Sequence, residues 1–364
     1  MARTPEETLR QTLARVAPGT ALRDGLERIL RGRTGALIVL GQDRLVESLC
    51  TGGFDIGIEF SPTRLRELAK MDGAITLDKD VSVIHKAGVQ LVPDASIPTS
   101  ESGTRHRTAE RVAVQTGHPV ITVSASMQII AIYVGGIRHQ LEGSESILAR
   151  AMQALATLER YRSRLDQVTA ALSTQEIEDT TTVRDVALVL QRLEMVRRIS
   201  EEISQYVLEL GTDGRLIALQ LEELAASAGP GAEVVLRDYS AAAQEAGLAD
   251  GPIDVEAAAA GLPLLSGTEI VDLGTVASLL GFTGGPDALE KHVQPRGYRL
   301  LTRLSSLPRA VAERVVDQFG GLQQLMAASI EDLRAVEGIG DLRAKSVREG
   351  LGRFAEDSLL ERYR

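Results

Sequence analysis

Two short motifs, thirty positions apart from Gly73 to Gly103, carry the residue types that phosphate chemistry needs. The first is Asp72-Gly73-Ala74, which follows Lys70-Met71. The second is Gly103-Thr104-Arg105-His106-Arg107. One end offers a carboxylate beside a glycine. The other offers a hydroxyl, two guanidiniums and an imidazole at the start of a helix. Helix N-termini bind phosphate through free N–H groups and the dipole. Arginine grips phosphate oxygens in bidentate fashion. A carboxylate can hold a divalent ion or orient an attacking hydroxyl. The pair suits a nucleoside triphosphate and its metal. Each motif also has a plainer explanation. Asp-Gly is among the commonest turn dipeptides, and Arg-His-Arg is an ordinary solvated helix start. This chemistry by itself leaves the function open.

The flanking pattern says what must position these residues. Up to about Arg31 the chain reads as two helices, the first capped by Thr4 with Pro5 at its first position. Ala36 to Leu40 is a short apolar run, hence a core strand. Phe54 to Phe60 alternates apolar with polar or small residues, as a half-buried strand does. Ser61-Pro62 starts a helix that runs to Lys70. Ala74 to Leu77 is the next strand, which places Asp72-Gly73 at its mouth, and Val89 to Val92 is another. From His106 to about Thr116 the pattern is helical, ending at Gly117. Strands follow over Val120 to Val123, Ile129 to Val134 and Ile137 to Leu141. The predicted first domain is α/β, a mixed sheet flanked by helices.

At Ser144 the composition changes. Leu148, Ala151, Leu155, Leu158, Tyr161 and Leu165 step by threes and fours, and so do Val186, Val189, Leu193, Val196 and Ile199. A Thr-rich polar run, Ser173 to Thr182, separates the two series. The spacing predicts a long antiparallel helix pair, an all-α spine. Ala225 to Gly231 is a break, Val234 to Tyr239 a short link or helix, and small helices follow over Ala241 to Gly261 and Val271 to Leu280. Beyond about Tyr298, Leu304-Ser305-Ser306-Leu307-Pro308 precedes a helix over Ala310 to Phe319. Then Val336-Glu337-Gly338-Ile339-Gly340 turns into a last helix. Two glycines around an isoleucine before a helix resemble a helix-hairpin-helix DNA-binding element, with a degenerate copy around Leu304 to Val315. Glycine lets backbone N–H groups approach a DNA phosphate. Gly338, Ile339, Gly340, Arg343, Lys345 and Arg348 are the candidate DNA contacts. The predicted domains are 1–143, 144–298 and 299–364.

Composition limits the options. The net charge is −10 over 364 residues, so any nucleic-acid contact is local. Residues 338–355 hold Arg343, Lys345, Arg348 and Arg353 against Asp341 and Glu349, a surplus of two. Binding of that kind is weak per module, salt-sensitive and not sequence-specific. Aromatics make up 3% and Trp is absent, which argues against stacking on single strands. The single cysteine, Cys50, lies in an apolar run and reads as a buried structural thiol. With no partner for a disulfide, the chain fits a reducing cytoplasm. The N-terminus lacks a signal peptide's apolar region. Pro119 to Ile137 is uncharged, but its Thr, Ser, Gln and Gly residues fit two adjacent core strands better than a membrane span.

In this order, Asp72-Gly73-Ala74 and Gly103 to Arg107 resemble the signature of the diadenylate cyclase domain. Gly52-Gly53-Phe54, the run Arg64 to Lys70, and Val123-Ser124-Ala125-Ser126-Met127 agree with it. Most of the chain is similar to the bacterial branch of that family with a helical spine and a C-terminal DNA-binding module. Many cyclases of other subtypes carry acidic residues after Val-Ser; Ala125-Ser126 stands here, so no second carboxylate is expected. The resemblance implies condensation of two ATP into cyclic di-AMP with release of two pyrophosphates, with Mg or Mn as cofactor. It implies that Asp72 holds the metal or orients the hydroxyl and that Gly73 and Ala74 admit the nucleotide. Gly103, Thr104, Arg105, His106, Arg107 and Thr108 would clamp phosphates. Ser124 and Ser126 would be further phosphate contacts, and Leu91 would line the adenine pocket. It implies a homo-octamer bound to branched DNA or recombination intermediates, in the cytoplasm at the nucleoid. The rival reading is a DNA-structure-binding scaffold whose nucleotide domain is only a receptor. A DNA-processing enzyme would need a carboxylate cluster or nucleophilic lysine, and none has convincing spacing.

Overall fold

In the computed structural model, residues 4–226, 231–249, 251–283, 285–304 and 307–361 are described. Helices α1 (Pro5–Val16) and α2 (Ala21–Arg31) lead into β1 (Ala36–Leu40), α3 (Arg44–Leu49), β2 (Cys50–Thr51), β3 (Phe54–Glu59) and α4 (Pro62–Leu68). β4 (Ala74–Leu77), β5 (Val83–Leu91), α5 (Thr104–Thr116), β6 (Val120–Ser124), β7 (Ile129–Val134) and β8 (Ile137–Leu141) follow. The strands form one mixed sheet in the order β2-β5-β4-β1-β6-β7-β8, with β3 also on β5. β1 and β4 are parallel.

All of β1 is buried because both faces of the sheet are covered. Ala36, Ile38 and Leu40 join Leu13, Leu26, Ile29 and Leu65 from α1, α2 and α4. Leu37 and Val39 join Val46 and Leu49 of α3 and Ala109, Val112 and Ala113 of α5 on the other face. Thr4 closes a capping box with Glu7 at the start of α1, as the sequence predicts. The uncharged stretch from Pro119 forms β6 and β7 and reaches β8. Among the described residues, no helix is long and apolar enough to cross a membrane.

Two features of this domain differ from expectation. β5 starts at Val83, not Val89, because its pairing with β4 shifts register near Gly88 and breaks the alternation that marks a strand. α3 and β2 carry no periodic signal at their length. Cys50 is half-buried, with its thiol on the Val46 carbonyl, 3.3 Å. Burial raises its pKa, which disfavours a nucleophilic thiolate.

The chain divides into two compact units: Met1–Ala154 with Glu202–Leu221, and Leu155–Glu201 with Glu222–Arg364. Helices α6 (Ser144–Glu178), α7 (Val183–Leu210) and α8 (Arg215–Ala226) run through both. In the second unit Leu165, Val168 and Leu172 of α6 pack with Val183, Val186 and Leu190 of α7. Val234 to Tyr239 is helical over Ala232–Asp238. The predicted break from Ala225 falls mainly on residues 227–230, which lie outside the described residues, as do Ser305 and Ser306. Helices Arg309–Phe319, Leu322–Ala327, Ile330–Arg334 and Asp341–Glu361 enclose a core of their own, with Val315, Leu325, Leu333 and Val347 at its centre.

The polar run Ser173 to Thr182 is not a loop throughout, since α6 continues to Glu178. The reason lies far along the chain. Arg299, 1% exposed, donates from Nε to Glu176 (3.1 Å) and from Nη2 to Ser173 (2.9 Å). Tyr239 donates to Glu176, 2.7 Å. Asp238 accepts from the backbone N–H groups of Gly297, Tyr298 and Arg299 at 2.6–2.7 Å. A buried charge stripped of its partner is costly, whereas apolar replacement of both is tolerated. Arg299→Met is therefore expected to destabilise this unit by about 3–5 kcal/mol, and the double change with Glu176→Met to recover most of that. Denaturant unfolding of the full chain measures both. A single-variant loss below about 1 kcal/mol, the exposed-pair range, would remove the pair from the fold's supports.

Candidate functional site

The register of three adjacent strands builds the floor of a cavity. Leu37 of β1 lies beside Ala74 of β4, and Ala74 beside Val89 of β5. These three side chains, with Leu91, give an apolar base to a cavity of ≈ 640 Å³. Asp72 and Gly73 stand at the mouth of β4. Thr104, Arg105 and Thr108, from the first turns of α5, close the other side. The two motifs are thus brought to one cavity, as the sequence suggests. An apolar floor with a few polar groups at one end is the usual shape of a nucleotide or small-ligand site.

Gly73 is required twice over. Its φ is +110°, and a Cβ there would stand 2.6 Å from the Gly88 carbonyl carbon. Its N–H reaches Asp72 Oδ1 at 3.0 Å, and Asp72 is exposed. Gly103 is the N-cap of α5 and offers no side-chain cap, so the first N–H groups of the helix have no side-chain partner there. Arg105 reaches its position because Gly35 precedes β1. A Cβ at Gly35 would meet the Arg105 guanidinium at 2.2 Å.

The remaining candidates sit elsewhere. His106 does not line the cavity. It is 7% exposed, and its Nδ1 lies 2.9 Å from the Tyr133 hydroxyl and 3.2 Å from Thr122 Oγ1. Burial pushes its pKa below the usual histidine range; Arg138 and Arg105 push the same way and Glu101 opposes them. Arg107 is exposed and donates to the Ser102 carbonyl, 3.0 Å. Its guanidinium holds the loop before α5, whereas the motif suggested a phosphate clamp. Ser124 and Ser126 also lie outside the cavity lining. Their hydroxyls lie 3.3 Å apart at the start of the β6–β7 turn. Ser124 is one step past the Ala36–Val123 pair, level with Gly35 at the same end of the sheet. Leu37, Gly88, Val89 and Gln90 line the cavity and were not anticipated. An isolated glycine in a strand, here Gly88, is the one signal that marks a bulge or a close backbone approach.

Among the described residues, no three His, Cys, Asp or Glu side chains converge as a metal site. Asp72 is the one acidic residue in the cavity lining among the described residues. That donor set fits a magnesium-like ion delivered with phosphate oxygens, which takes one or two carboxylates and the substrate's own oxygens. It does not fit an ion held by protein alone.

At the C-terminus, Gly338 takes φ +89°, and a Cβ on it would meet Arg314 Nη2 at 2.7 Å. Gly340 is exposed, with nothing within 4 Å of a Cβ position. Ile339 is 6% exposed and belongs to the core, so its side chain anchors the turn instead of facing a ligand. Arg343 donates to the Gly338 carbonyl at 2.9 Å and Arg348 to the Met326 carbonyl at 2.8 Å, while Lys345 is exposed.

Comparison with known proteins adds the family. Residues 23–138 match the family model described as DisA bacterial checkpoint controller nucleotide-binding. Residues 141–289 match that of the DisA bacterial checkpoint controller linker region. The chain is 64% identical to the DNA integrity scanning protein DisA of Kineococcus radiotolerans, over 99% of each chain. It is 59% identical to the protein of that name from Frankia alni, over 98% of each. The Streptomyces avermitilis protein is also 59% identical, over 98% of this chain and 94% of that one.

Proposed function

This chain belongs to the DisA family of DNA integrity scanning proteins, which carry a diadenylate cyclase domain, and from that premise we propose that it condenses two ATP into cyclic di-AMP. The observation that carries the reading is the meeting of Asp72, the start of α5 and an apolar floor in one cavity. The adenine and ribose rest on Leu37, Ala74, Val89 and Leu91. The triphosphate runs toward Thr104, Arg105 and Thr108, where α5 N–H groups and the Arg105 guanidinium hold it. Asp72 holds the divalent ion that comes with the triphosphate or orients the ribose 3′-hydroxyl. When bound, the ion neutralises charge on the phosphates. Catalysis then rests on positioning and charge more than on covalent work by the protein.

The product is two-fold symmetric and each ATP is both donor and acceptor. Two identical sites facing across an isologous contact align them most simply. A second, distinct self-contact would enlarge such a dimer into a closed assembly, and an octamer satisfies both. The exposed turn at Gly340, with Lys345 exposed on the helix after it, supports local, non-sequence-specific contact with branched DNA at the assembly's ends. The functional division is 1–143 for cyclisation, 144–298 for the spine and 299–364 for DNA.

Incubation of the purified protein with ATP and Mg²⁺ or Mn²⁺, followed by chromatography for the cyclic dinucleotide, tests the activity. Binding of ATP without turnover would leave a receptor. A sharper prediction separates the two arginines. Arg105→Ala is expected to weaken ATP binding by about 10- to 100-fold, the range of charge-assisted hydrogen bonds. Arg107→Ala is expected to weaken it far less, because its guanidinium is committed to the Ser102 carbonyl. Calorimetry with equal losses for the two variants would reject this assignment of the clamp.

A further inference from the structure

A polar chain, buried except at its Arg138 end, lies beneath the start of α5, outside the cavity lining. Arg138 of β8 pairs with Glu101 through Nε, 3.0 Å. The Tyr133 hydroxyl of β7 donates to Glu101 Oε1, 2.9 Å, and His106 Nδ1 lies 2.9 Å from the same hydroxyl. Thr122 of β6 approaches Nδ1 at 3.2 Å. Tyr133 is 1% exposed, Thr122 0% and the Glu101 side chain 16%.

The order of these bonds fixes a proton. The phenol has one hydrogen, and the Glu101 carboxylate takes it because an ionised carboxylate only accepts. Toward His106 the phenol oxygen can then only accept, so Nδ1 carries the imidazole hydrogen. A neutral imidazole has one N–H, which leaves Nε2 with its lone pair. The ring edge beside Nε2 faces the N-cap: a Cβ on Gly103 would be 3.4 Å from His106 Cδ2. The chain also ties the loop before α5, through Glu101, to β7 and β8 and to His106 in the first turn of the helix. The height of Thr104, Arg105 and Thr108 above the sheet is set from below.

We propose that Tyr133 and Glu101 are positioning residues for cyclisation, locking His106 as the Nδ1–H tautomer and thereby fixing the phosphate-binding start of α5. The proposal rests on the cyclase reading for its kinetic consequence, but its structural consequence stands apart from it. Neither residue lines the cavity, and both act through His106.

The test uses the full chain labelled with ¹⁵N-histidine, with the His106 signals identified by their absence in His106→Gln. Imidazole ¹⁵N shifts separate a protonated from a bare ring nitrogen. Wild type is expected to show Nδ1–H with bare Nε2. Glu101→Ala frees the phenol hydrogen to turn toward Nδ1, so His106 is expected to switch to Nε2–H. Tyr133→Phe removes the acceptor and is expected to weaken the Nδ1–H preference, leaving Thr122 free to donate. Glu101→Gln keeps a carbonyl oxygen for the phenol and is expected to retain the wild-type tautomer. The kcat for cyclic di-AMP is expected to fall about tenfold in the first two variants, the loss of one hydrogen bond. KM for ATP should rise as kcat falls, because the α5 start also holds the ground-state phosphates, and Glu101→Gln should restore most of both. A wild-type tautomer in Glu101→Ala overturns the proposal, whatever happens to kcat. A switched tautomer with unaltered kcat also overturns it. If the chain makes no cyclic dinucleotide, the cyclase reading fails, while the tautomer comparison still decides the hydrogen-bond assignment. Should Tyr133→Phe fail to fold, the Glu101→Ala and Glu101→Gln pair carries the test alone.

Discussion

Asp72→Asn is expected to lower cyclic di-AMP synthesis by about 10²- to 10³-fold, comparable to removal of one pre-organised charge-stabilising group. Fold and assembly should be unchanged. The side chain is exposed, and its Oδ1 accepts from the Gly73 N–H, a role the asparagine oxygen can fill. What disappears is the charge. No other acidic residue lines the cavity among the described residues, so nothing nearby can replace it. ATP affinity should fall less than turnover, since the α5 start and Arg105 still hold the phosphates. Mixed oligomers give a second readout. If sites face in pairs, inactive chains should poison wild-type partners, and activity should drop faster than the wild-type fraction. A wild-type rate in Asp72→Asn would remove Asp72 from the mechanism. Strict proportionality to the wild-type fraction would argue against paired sites.

The parts of this site that depend on short-range pattern are visible in the sequence, and those that depend on register are not. The Thr4–Glu7 box, the apolar run of β1 and the Gly117 cap, at φ +71°, are local signals. The cavity floor is not, because Leu37, Ala74 and Val89 become neighbours only through pairing of strands far apart in the chain. His106 is an instructive case. Its motif suggested a phosphate contact, yet His106, Ala109 and Ala113 share the spacing of one helix face, and that face lies on the sheet. The periodicity held the information; the motif drew the eye from it. Ser173 and Glu176 show the opposite limit. Nothing local predicts that a polar run stays helical, since the partner that buries it, Arg299, lies 123 residues beyond Glu176.

Gly340→Val is expected to remove most DNA binding while leaving the fold intact, and the contrast with Gly338→Val carries the argument. A side chain at Gly340 meets open space, and its φ is outside the left-handed region, so valine fits without strain. A side chain at Gly338 would stand in the left-handed region at φ +89° and strike the Arg314 guanidinium, which holds the Glu337 carbonyl at 2.8 Å. Gly338→Val should therefore loosen the hairpin and the packing of the last helices along with any DNA contact. Gly340→Val should instead act on the ligand alone. Its branched side chain blocks the close approach of backbone N–H groups to a phosphate. Loss of about tenfold per module is expected at low salt, and more in an assembly whose modules bind together. Fluorescence anisotropy with a branched synthetic duplex measures the affinity, and thermal unfolding of the same samples checks the fold. Basal cyclase activity should not change in Gly340→Val, because the turn lies in the second compact unit and the cavity in the first. Wild-type DNA affinity in a folded Gly340→Val protein would reduce the hairpin to a packing element.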